Sequence, residues 1–118
     1  MAMSRAERKI KEIFEMNDIS FEQEYIFPEL KSSNGKPLRF DFAIFDDEGG
    51  LDFLIEYQGK QHYEAVGKFG GAKGLYQQQY NDSKKRSFCK QNGLKLIEIS
   101  FKEEPFINYT YIMEKAGY

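Results

Sequence analysis

Two apolar segments that each contain one acidic residue constrain the fold of this chain more than any other feature. Asp41 stands between Phe40 and Phe42, and Glu56 stands inside the segment Leu-Ile-Glu-Tyr. Ionised carboxylates inside a sheet are costly unless they are paired or bound to a metal, and two on adjacent strands repel each other. Mg²⁺ relieves both problems, because carboxylate oxygens are among its preferred ligands. The pattern predicts a metal site shared by Asp41 and Glu56; a half-exposed sheet with two solvated carboxylates is the alternative.

Local signals along the chain predict seven helices and strands. Ser4, with Glu7 three residues later, forms a capping box that is typical of a helix start. The predicted elements are a helix over residues 4–16, strands over 21–27, 38–45 and 51–58, a helix over 75–91, a strand over 94–101 and a helix over 107–115. Pro28 is expected to end the first strand, and a glycine-rich loop over 59–74 is expected before the second helix.

These elements predict an α+β fold that forms one domain over residues 1–118. The second and third strands form a β-hairpin. The fourth strand follows a helix directly, so we expect it to run parallel to the third as a βαβ crossover. Strict alternation puts Asp41 on one face of the second strand, and the opposite face then holds Leu38, Phe40, Phe42 and Ile44. The result is an α/β/α sandwich-like arrangement, with a mixed four-stranded sheet flanked by helices in the order αβββαβα.

Charge is divided unevenly along the chain. The formal net charge of −2 argues against strong non-specific binding to nucleic acid. Residues 1–59 contain 7 basic and 13 acidic residues, whereas residues 60–95 contain 8 basic and 2 acidic residues. A metal-dependent nuclease uses such a combination, since a basic surface holds phosphates and an acidic cluster holds cations. On charge alone, a solvated helix face is the simpler explanation of the lysines.

Cysteine content and the length of the apolar stretches indicate the cellular compartment of the chain. The single cysteine, Cys89, excludes a disulfide within the chain and favours a reducing compartment. Residues 1–8 carry no secretory signal. The longest apolar stretches are of strand length, well short of the roughly 20 residues that a membrane helix needs. We therefore expect a cytoplasmic protein with no membrane partner.

Five sequence blocks in a fixed order resemble one nuclease family. The blocks are residues 38–42 (Leu-Arg-Phe-Asp-Phe), 54–63 (Leu-Ile-Glu-Tyr-Gln-Gly-Lys-Gln-His-Tyr), 69–71 (Phe-Gly-Gly), 81–85 (Asn-Asp-Ser-Lys-Lys) and 94–99 (Leu-Lys-Leu-Ile-Glu-Ile). Together they resemble the PD-(D/E)xK nucleases, and more closely the small nucleases of phages and homing elements that are related to very-short-patch-repair endonucleases. The resemblance covers residues 7–101. It implies a restriction-endonuclease-like core and a phage-encoded or bacterial endodeoxyribonuclease that uses Mg²⁺, with Mn²⁺ as a substitute.

The resemblance assigns roles to residues on the strands and on the first helix. Asp41 and Glu56 match the metal-binding carboxylates of the family. Glu7 matches a glutamate that supports the metal site through water. Gln58 occupies the position where many relatives have the lysine of the motif. Glutamine can orient a water molecule but supplies no charge, so this departure leaves the lysine's role to Lys60 or to another residue.

Further roles fall on the loop and on the basic helix. His62 matches a histidine of the repair-endonuclease branch and is a candidate general base or acid, since its unperturbed pKa is about 6.5; a surface or structural histidine is an equally good interpretation. Asp82 matches the last acidic residue of that branch. Lys85 lies on the same side of the helix as Asp82 and is also able to take the lysine's role. The residues expected to hold DNA phosphates are Lys60, Lys84, Arg86 and Lys90.

Three alternatives remain open from the sequence. The first is an inactive nuclease fold that binds nucleic acid or a protein partner. The second is a Cys89/His62 nucleophilic pair, although Cys89 falls within a helix near apolar residues and is more typical of core packing. The third is one part of a larger nuclease whose DNA-recognition module is fused to the chain or is a separate partner. A homodimer is a further expected partner, because small nucleases that cut both strands often dimerise.

Overall fold

A computed structural model describes residues 3–60, 63, 65, 67 and 70–118. The elements are α1 (Arg5–Met16), β1 (Phe21–Lys31), β2 (Pro37–Phe45), β3 (Leu51–Gln58), α2 (Gly71–Gln91), β4 (Leu96–Ser100), a 3-10 helix (Phe101–Phe106) and α3 (Tyr109–Lys115). The predicted order αβββαβα is confirmed, with the 3-10 helix as an addition. None of the helices in the described part of the chain is both long enough and apolar enough to span a membrane.

The capping box predicted for α1 is confirmed. The Ser4 hydroxyl accepts a hydrogen bond from the Glu7 N–H at 3.1 Å, and the Glu7 carboxylate accepts one from the Ser4 N–H at 3.2 Å. Two otherwise unpaired groups at the start of the helix are thereby satisfied. Ala6, Ile10 and Phe14 are buried along one side of α1, which anchors the helix against the sheet.

The sheet has the mixed topology expected from the sequence. Its strands lie in the order β1-β2-β3-β4, with β1, β2 and β3 antiparallel and β4 parallel to β3. Glu56 of β3 pairs in register with Glu98 of β4, and Gln58 pairs with Ser100. The parallel pairing needs a crossover connection, and α2 provides it.

Two hydrophobic cores lie on opposite faces of the sheet. Helices α1 and α3 pack on one face against residues that include Phe42, Ile44 and Ile55. Helix α2 packs on the other face through Cys89, against residues that include Leu54. The sheet is therefore covered on both sides.

The prediction that Leu38, Phe40, Phe42 and Ile44 share one face of β2 is wrong. Leu38 and Phe40 pack on the α2 face, whereas Phe42 and Ile44 pack on the α1 and α3 face. The strand inverts its faces at Asp41, next to Glu24 of β1, whose φ of +53° is unusual for a residue other than glycine. Neighbouring β1 inverts at the same level, because Phe27 packs against Phe40 while Phe21 packs against Phe42.

Several element boundaries also differ from the prediction. Strand β1 continues past Pro28 to Lys31, because an edge strand tolerates a residue that donates no hydrogen bond. Helix α2 begins at Gly71, four residues before the predicted start. The preceding Gly70 has a φ of +93°, and a Cβ at this position would lie 3.1 Å from the Gly74 Cα. Glycine at position 70 therefore allows both the positive φ and the close approach of Gly74 in the first turn of α2.

Candidate active site

Asp41 and Glu56 lie where strands β2 and β3 separate. The last backbone pair between the two strands on this side is Phe42 with Ile55. Beyond this pair, the Asp41 Oδ2 accepts a hydrogen bond of 2.7 Å from the Tyr57 N–H. A side-chain hydrogen bond thus takes the place of a backbone hydrogen bond between the two strands. Glu56 is only 5% exposed. The separation of the strands thus leaves two carboxylates close together in a largely buried position.

Lys85 reaches this carboxylate pair from α2. Its Nζ lies 2.9 Å from the Glu56 Oε1, and the two side chains are 10% and 6% exposed. The same Nζ lies 5.6 Å from the centre of the Phe40 ring, within the range of a cation–π contact. The lysine is therefore held between a carboxylate and an aromatic ring, well away from solvent.

Burial and mutual repulsion raise the pKa values of both carboxyl groups. The pKa of Glu56 is raised to about 8, chiefly by burial and then by the charge of Asp41, while Lys85 opposes the change. The pKa of Asp41 is raised to about 6, again chiefly by burial, while the hydrogen bond from Tyr57 opposes it. A carboxyl pair with these pKa values favours either a proton or an added cation at neutral pH.

The metal-free chain is expected to become less stable as the pH rises from about 4 to about 8. Unfolded Asp and Glu titrate at about 3.9 and 4.3. The folded chain therefore holds a proton on Asp41 up to about pH 6 and on Glu56 up to about pH 8, whereas the unfolded chain has lost both. The free energy of unfolding should fall by several kcal/mol. Urea unfolding in EDTA at several pH values measures it. In the Asp41→Asn/Glu56→Gln variant neither side chain can ionise, so its free energy of unfolding should change less with pH. Equal changes with pH in the variant and the wild type would contradict the prediction.

Gln58 belongs to a hydrogen-bonded network next to the carboxylates. Its Nε2 donates to the Glu98 Oε1 at 2.6 Å, and its Oε1 accepts from the Tyr63 hydroxyl at 2.6 Å. The Arg86 Nε lies 2.8 and 2.9 Å from the two Glu98 carboxylate oxygens. Gln58, Tyr63 and Arg86, together with Asp82, line a cleft of about 230 Å³. The position where the sequence resemblance expects a lysine thus faces this cleft.

The sequence analysis did not identify Glu98 and Tyr63 as site residues. Glu98 stands between Ile97 and Ile99 in β4, which is the same signal of an acidic residue in an apolar strand that marked Asp41. Its register with Glu56 depends on the parallel pairing of β3 and β4. Tyr63 offered no comparable local signal.

The structure brings most of the other predicted catalytic residues to the same place. The charge of Glu7 on α1 raises the pKa of Asp41, and the charge of Asp82 on α2 raises the pKa of Glu56. Asp82 is 5% exposed and accepts a hydrogen bond of 3.3 Å from the Gln78 side chain. His62 lies outside the described residues.

The residues predicted to bind phosphates are distributed around α2 and the end of β3. Arg86 is paired with Glu98, and its side chain remains 50% exposed. The Lys84 Nζ donates to the Lys31 carbonyl oxygen and lies 5.8 Å from the centre of the Tyr80 ring. The side chains of Lys60 and Lys90 are exposed. Of these four residues, Arg86 also lines the cleft at Gln58.

The donor set suits a hard cation. Within the described ranges, no group of three or more His, Cys, Asp and Glu side chains is placed to hold a metal ion. Asp41 and Glu56 supply carboxylate oxygens, and Mg²⁺ is often bound by one or two carboxylates with water and substrate phosphate as its remaining ligands. The residues present therefore fit a magnesium ion shared with a substrate.

Cys89 is unsuited to act as a nucleophile. The side chain is 3% exposed and lies in the hydrophobic core under α2. Burial raises the pKa of its thiol to about 11, so the reactive thiolate is scarce at neutral pH. This observation argues against a Cys89/His62 pair.

Comparison with known proteins gives relatives without an assigned activity. No protein-family model matches the chain, and no solved structure matches it. The chain is 44% identical over 61 residues to the uncharacterized protein 094L of Frog virus 3 (isolate Goorha). The matched segment covers 50% of this chain and 39% of that protein. The chain is also 32% identical over 80 residues to the uncharacterized protein 307L of Invertebrate iridescent virus 6. The matched segment covers 67% of this chain and 41% of that protein. The chain is thus similar to viral proteins, and the match spans about two fifths of the length of each.

Proposed function

We propose that this chain is a metal-dependent endonuclease domain of the PD-(D/E)xK type, which hydrolyses phosphodiester bonds of DNA around a restriction-endonuclease-like core. The observation that carries the proposal is the buried group of Asp41, Glu56 and Lys85. These are the residue types of the family motif, two carboxylates and one lysine. The lysine is supplied by α2 instead of β3, where Gln58 stands in its place.

Lys85 supplies the charge that Gln58 lacks. Phosphodiester hydrolysis adds negative charge to the phosphate oxygens, and a fixed cation in a dry site stabilises that charge strongly. The Lys85 Nζ is held by Glu56 and is shielded from water by the Phe40 ring. It therefore needs little rearrangement to face a phosphate that binds beside the carboxylates.

Asp41 and Glu56 would hold the Mg²⁺ ion, which when bound polarises a phosphate oxygen and lowers the pKa of a water molecule. The chain's own residues orient the reactants. The amide of Gln58 is fixed in direction by Glu98 and Tyr63. An amide has two N–H donors and two lone pairs, so one of each remains for an attacking water. Gln58 is thus a positioning residue in this proposal.

The basic residues around the site would hold the DNA without reading its sequence. Lys60, Lys84 and Lys90 are the candidates for contacts with flanking phosphates, and such contacts fix position only. The viral relatives extend well beyond the segment that they share with this chain. We propose that specificity comes from a recognition module in such an extension, or from a second copy of the chain.

Cleavage assays test the proposal directly. Supercoiled plasmid, branched DNA and an RNA of matched sequence are incubated with the purified chain in Mg²⁺, in Mn²⁺ or in EDTA. We expect nicked or linear DNA in either metal and intact substrate in EDTA. Intact DNA under every condition, from a chain that also fails to bind Mn²⁺ in calorimetry, would contradict the proposal.

A binding module without nuclease activity is the second candidate, and one contact favours it. The Lys85 ammonium lies on the Glu56 oxygen that a metal ion would need, so the two cations compete. A module of this kind would bind DNA equally well in Mg²⁺ and in EDTA. Metal titration of the wild-type chain separates the two candidates, because only the nuclease is expected to bind Mn²⁺ with Lys85 in place.

A further inference from the structure

The outward side of α2 carries two exposed tyrosines one helical turn apart. Tyr76 is 73% exposed and Tyr80 is 45% exposed. Lys73 lies three residues before Tyr76, and Lys84 lies four residues after Tyr80. Residues three or four positions apart share one side of a helix, so these four side chains form one continuous strip. We call Lys73, Tyr76, Tyr80 and Lys84 the α2 strip.

The positive charge of Lys84 lies beside the ring of Tyr80. Its Nζ lies 5.8 Å from the centre of the Tyr80 ring and also donates to the Lys31 carbonyl oxygen. Both partners are uncharged, so the positive charge of Lys84 is not neutralised by them. A cation beside an exposed ring is the combination that binds a phosphate next to a stacked base.

A groove of about 270 Å³ adjoins the α2 strip. Leu30 of β1 and Phe88 of α2 give it apolar walls, and Ser83 and Ser87 give it polar ones, with Tyr80 at its side. Apolar walls with a few polar groups at the rim suit a planar ring that carries hydrogen-bonding edges. A nucleobase that is not paired within a duplex has this shape and chemistry.

The α2 strip lies next to the candidate active site. Gln79 and Asp82, on the inner side of α2, line the cleft at Gln58, and Lys85 bonds Glu56. An α-helix with its side chains is roughly 10–12 Å across. The Lys84 end of the strip and the carboxylates are therefore separated by about one helix diameter, and the Lys73 end lies roughly 16 Å further along the helix axis. A few nucleotides can span these distances.

We propose that the α2 strip binds the unpaired bases of a single-stranded segment, through stacking on Tyr76 and Tyr80 and phosphate contacts from Lys73 and Lys84. The substrate class is then nucleic acid with a single-stranded region beside the scissile phosphate, as in a branch or an overhang. Bases within a duplex are already stacked on each other and expose no face to a helix side. This inference deepens the proposed nuclease function and rests on it for the substrate, although the binding itself needs no cleavage.

Binding in EDTA tests the α2 strip without any cleavage. Fluorescence anisotropy measures the affinity of the chain for a labelled mixed-sequence single strand and for a labelled hairpin duplex of equal length. Tyr80→Ala should weaken single-strand binding about tenfold, because stacking on one aromatic side chain is worth about that much. Tyr80→Phe should retain the affinity, and duplex binding should change little in either variant.

A matched control is available on the opposite face of the sheet. Tyr109, at the start of α3, is 42% exposed, close to the 45% of Tyr80. Tyr109→Ala should bind both probes as the wild type does. Lys84→Gln should weaken binding and reduce its dependence on salt, since one phosphate contact is lost. Circular dichroism checks that each variant is folded.

The possible outcomes separate the two proposals. Single-strand binding that depends on Tyr80, in a chain that neither cuts DNA nor binds Mn²⁺, supports the α2 strip and overturns the nuclease function. Metal-dependent cutting combined with single-strand affinity unchanged in Tyr80→Ala and Tyr76→Ala overturns the strip alone. Tyr80→Ala that weakens binding to the single strand and to the duplex by the same factor also overturns the strip. A chain that binds neither probe overturns the strip and leaves a protein partner as the occupant of this surface.

Discussion

Glu56→Gln is expected to lower the rate of metal-dependent DNA cleavage by about a thousandfold or more. The variant keeps the shape of the side chain but removes the charge that a magnesium ion needs. Charge stabilisation by such an ion is worth several kcal/mol, and each 1.36 kcal/mol changes a rate about tenfold. Asp41→Asn should have a similar effect, because the two carboxylates act on the same ion. Plasmid nicking followed over time in Mg²⁺ measures both rates.

Glu22→Gln is the control for the loss of one strand carboxylate. Glu22 lies in β1 and is exposed, so its substitution should leave the nicking rate unchanged. Loss of activity through unfolding is separable, because urea unfolding and circular dichroism of the metal-free Glu56→Gln variant show directly whether it is folded. A nicking rate within tenfold of the wild type would show that Glu56 is not a metal ligand.

Lys85→Met is expected to lower the free energy of unfolding by about 3 kcal/mol at about pH 9. The substitution removes the ammonium 2.9 Å from Glu56 and leaves a buried carboxylate without its partner. At about pH 6 the loss should be smaller, since burial and the nearby Asp41 raise the pKa of Glu56 and the group then takes up a proton. Urea unfolding of the metal-free chain at both pH values measures the difference.

A double-mutant cycle assigns this loss to the contact between Lys85 and Glu56. Glu56→Gln/Lys85→Met should recover most of the stability at about pH 9, because neither member of the buried pair is then charged. Lys84→Met is the matched control. Lys84 is the preceding residue on α2 but points to the other side, and its substitution should cost no more than about 0.5 kcal/mol. Equal losses for Lys84→Met and Lys85→Met would contradict the buried pair.

The sequence by itself determined the elements that depend on neighbouring residues. The capping box of Ser4 and Glu7 places the start of α1, and alternation bounded by turn residues places β3 at Leu51–Gln58. The parallel direction of β4 followed from the intervening helix, because a crossover connection allows it. Asp41 and Glu56 also stood out, since a carboxylate in an apolar strand is unusual wherever that strand lies.

Only the tertiary structure decided how these residues meet. Lys85 and Glu56 are 29 residues apart and Gln58 and Glu98 are 40 residues apart, so no local pattern reports their contacts. The inversion of β2 at Asp41 breaks the alternation on which strand prediction relies. Helical spacing predicted that Lys85 and Asp82 share one side of α2. The packing of α2 against the sheet determined that this side faces the carboxylates, because burial of Cys89 fixes the rotation of the helix.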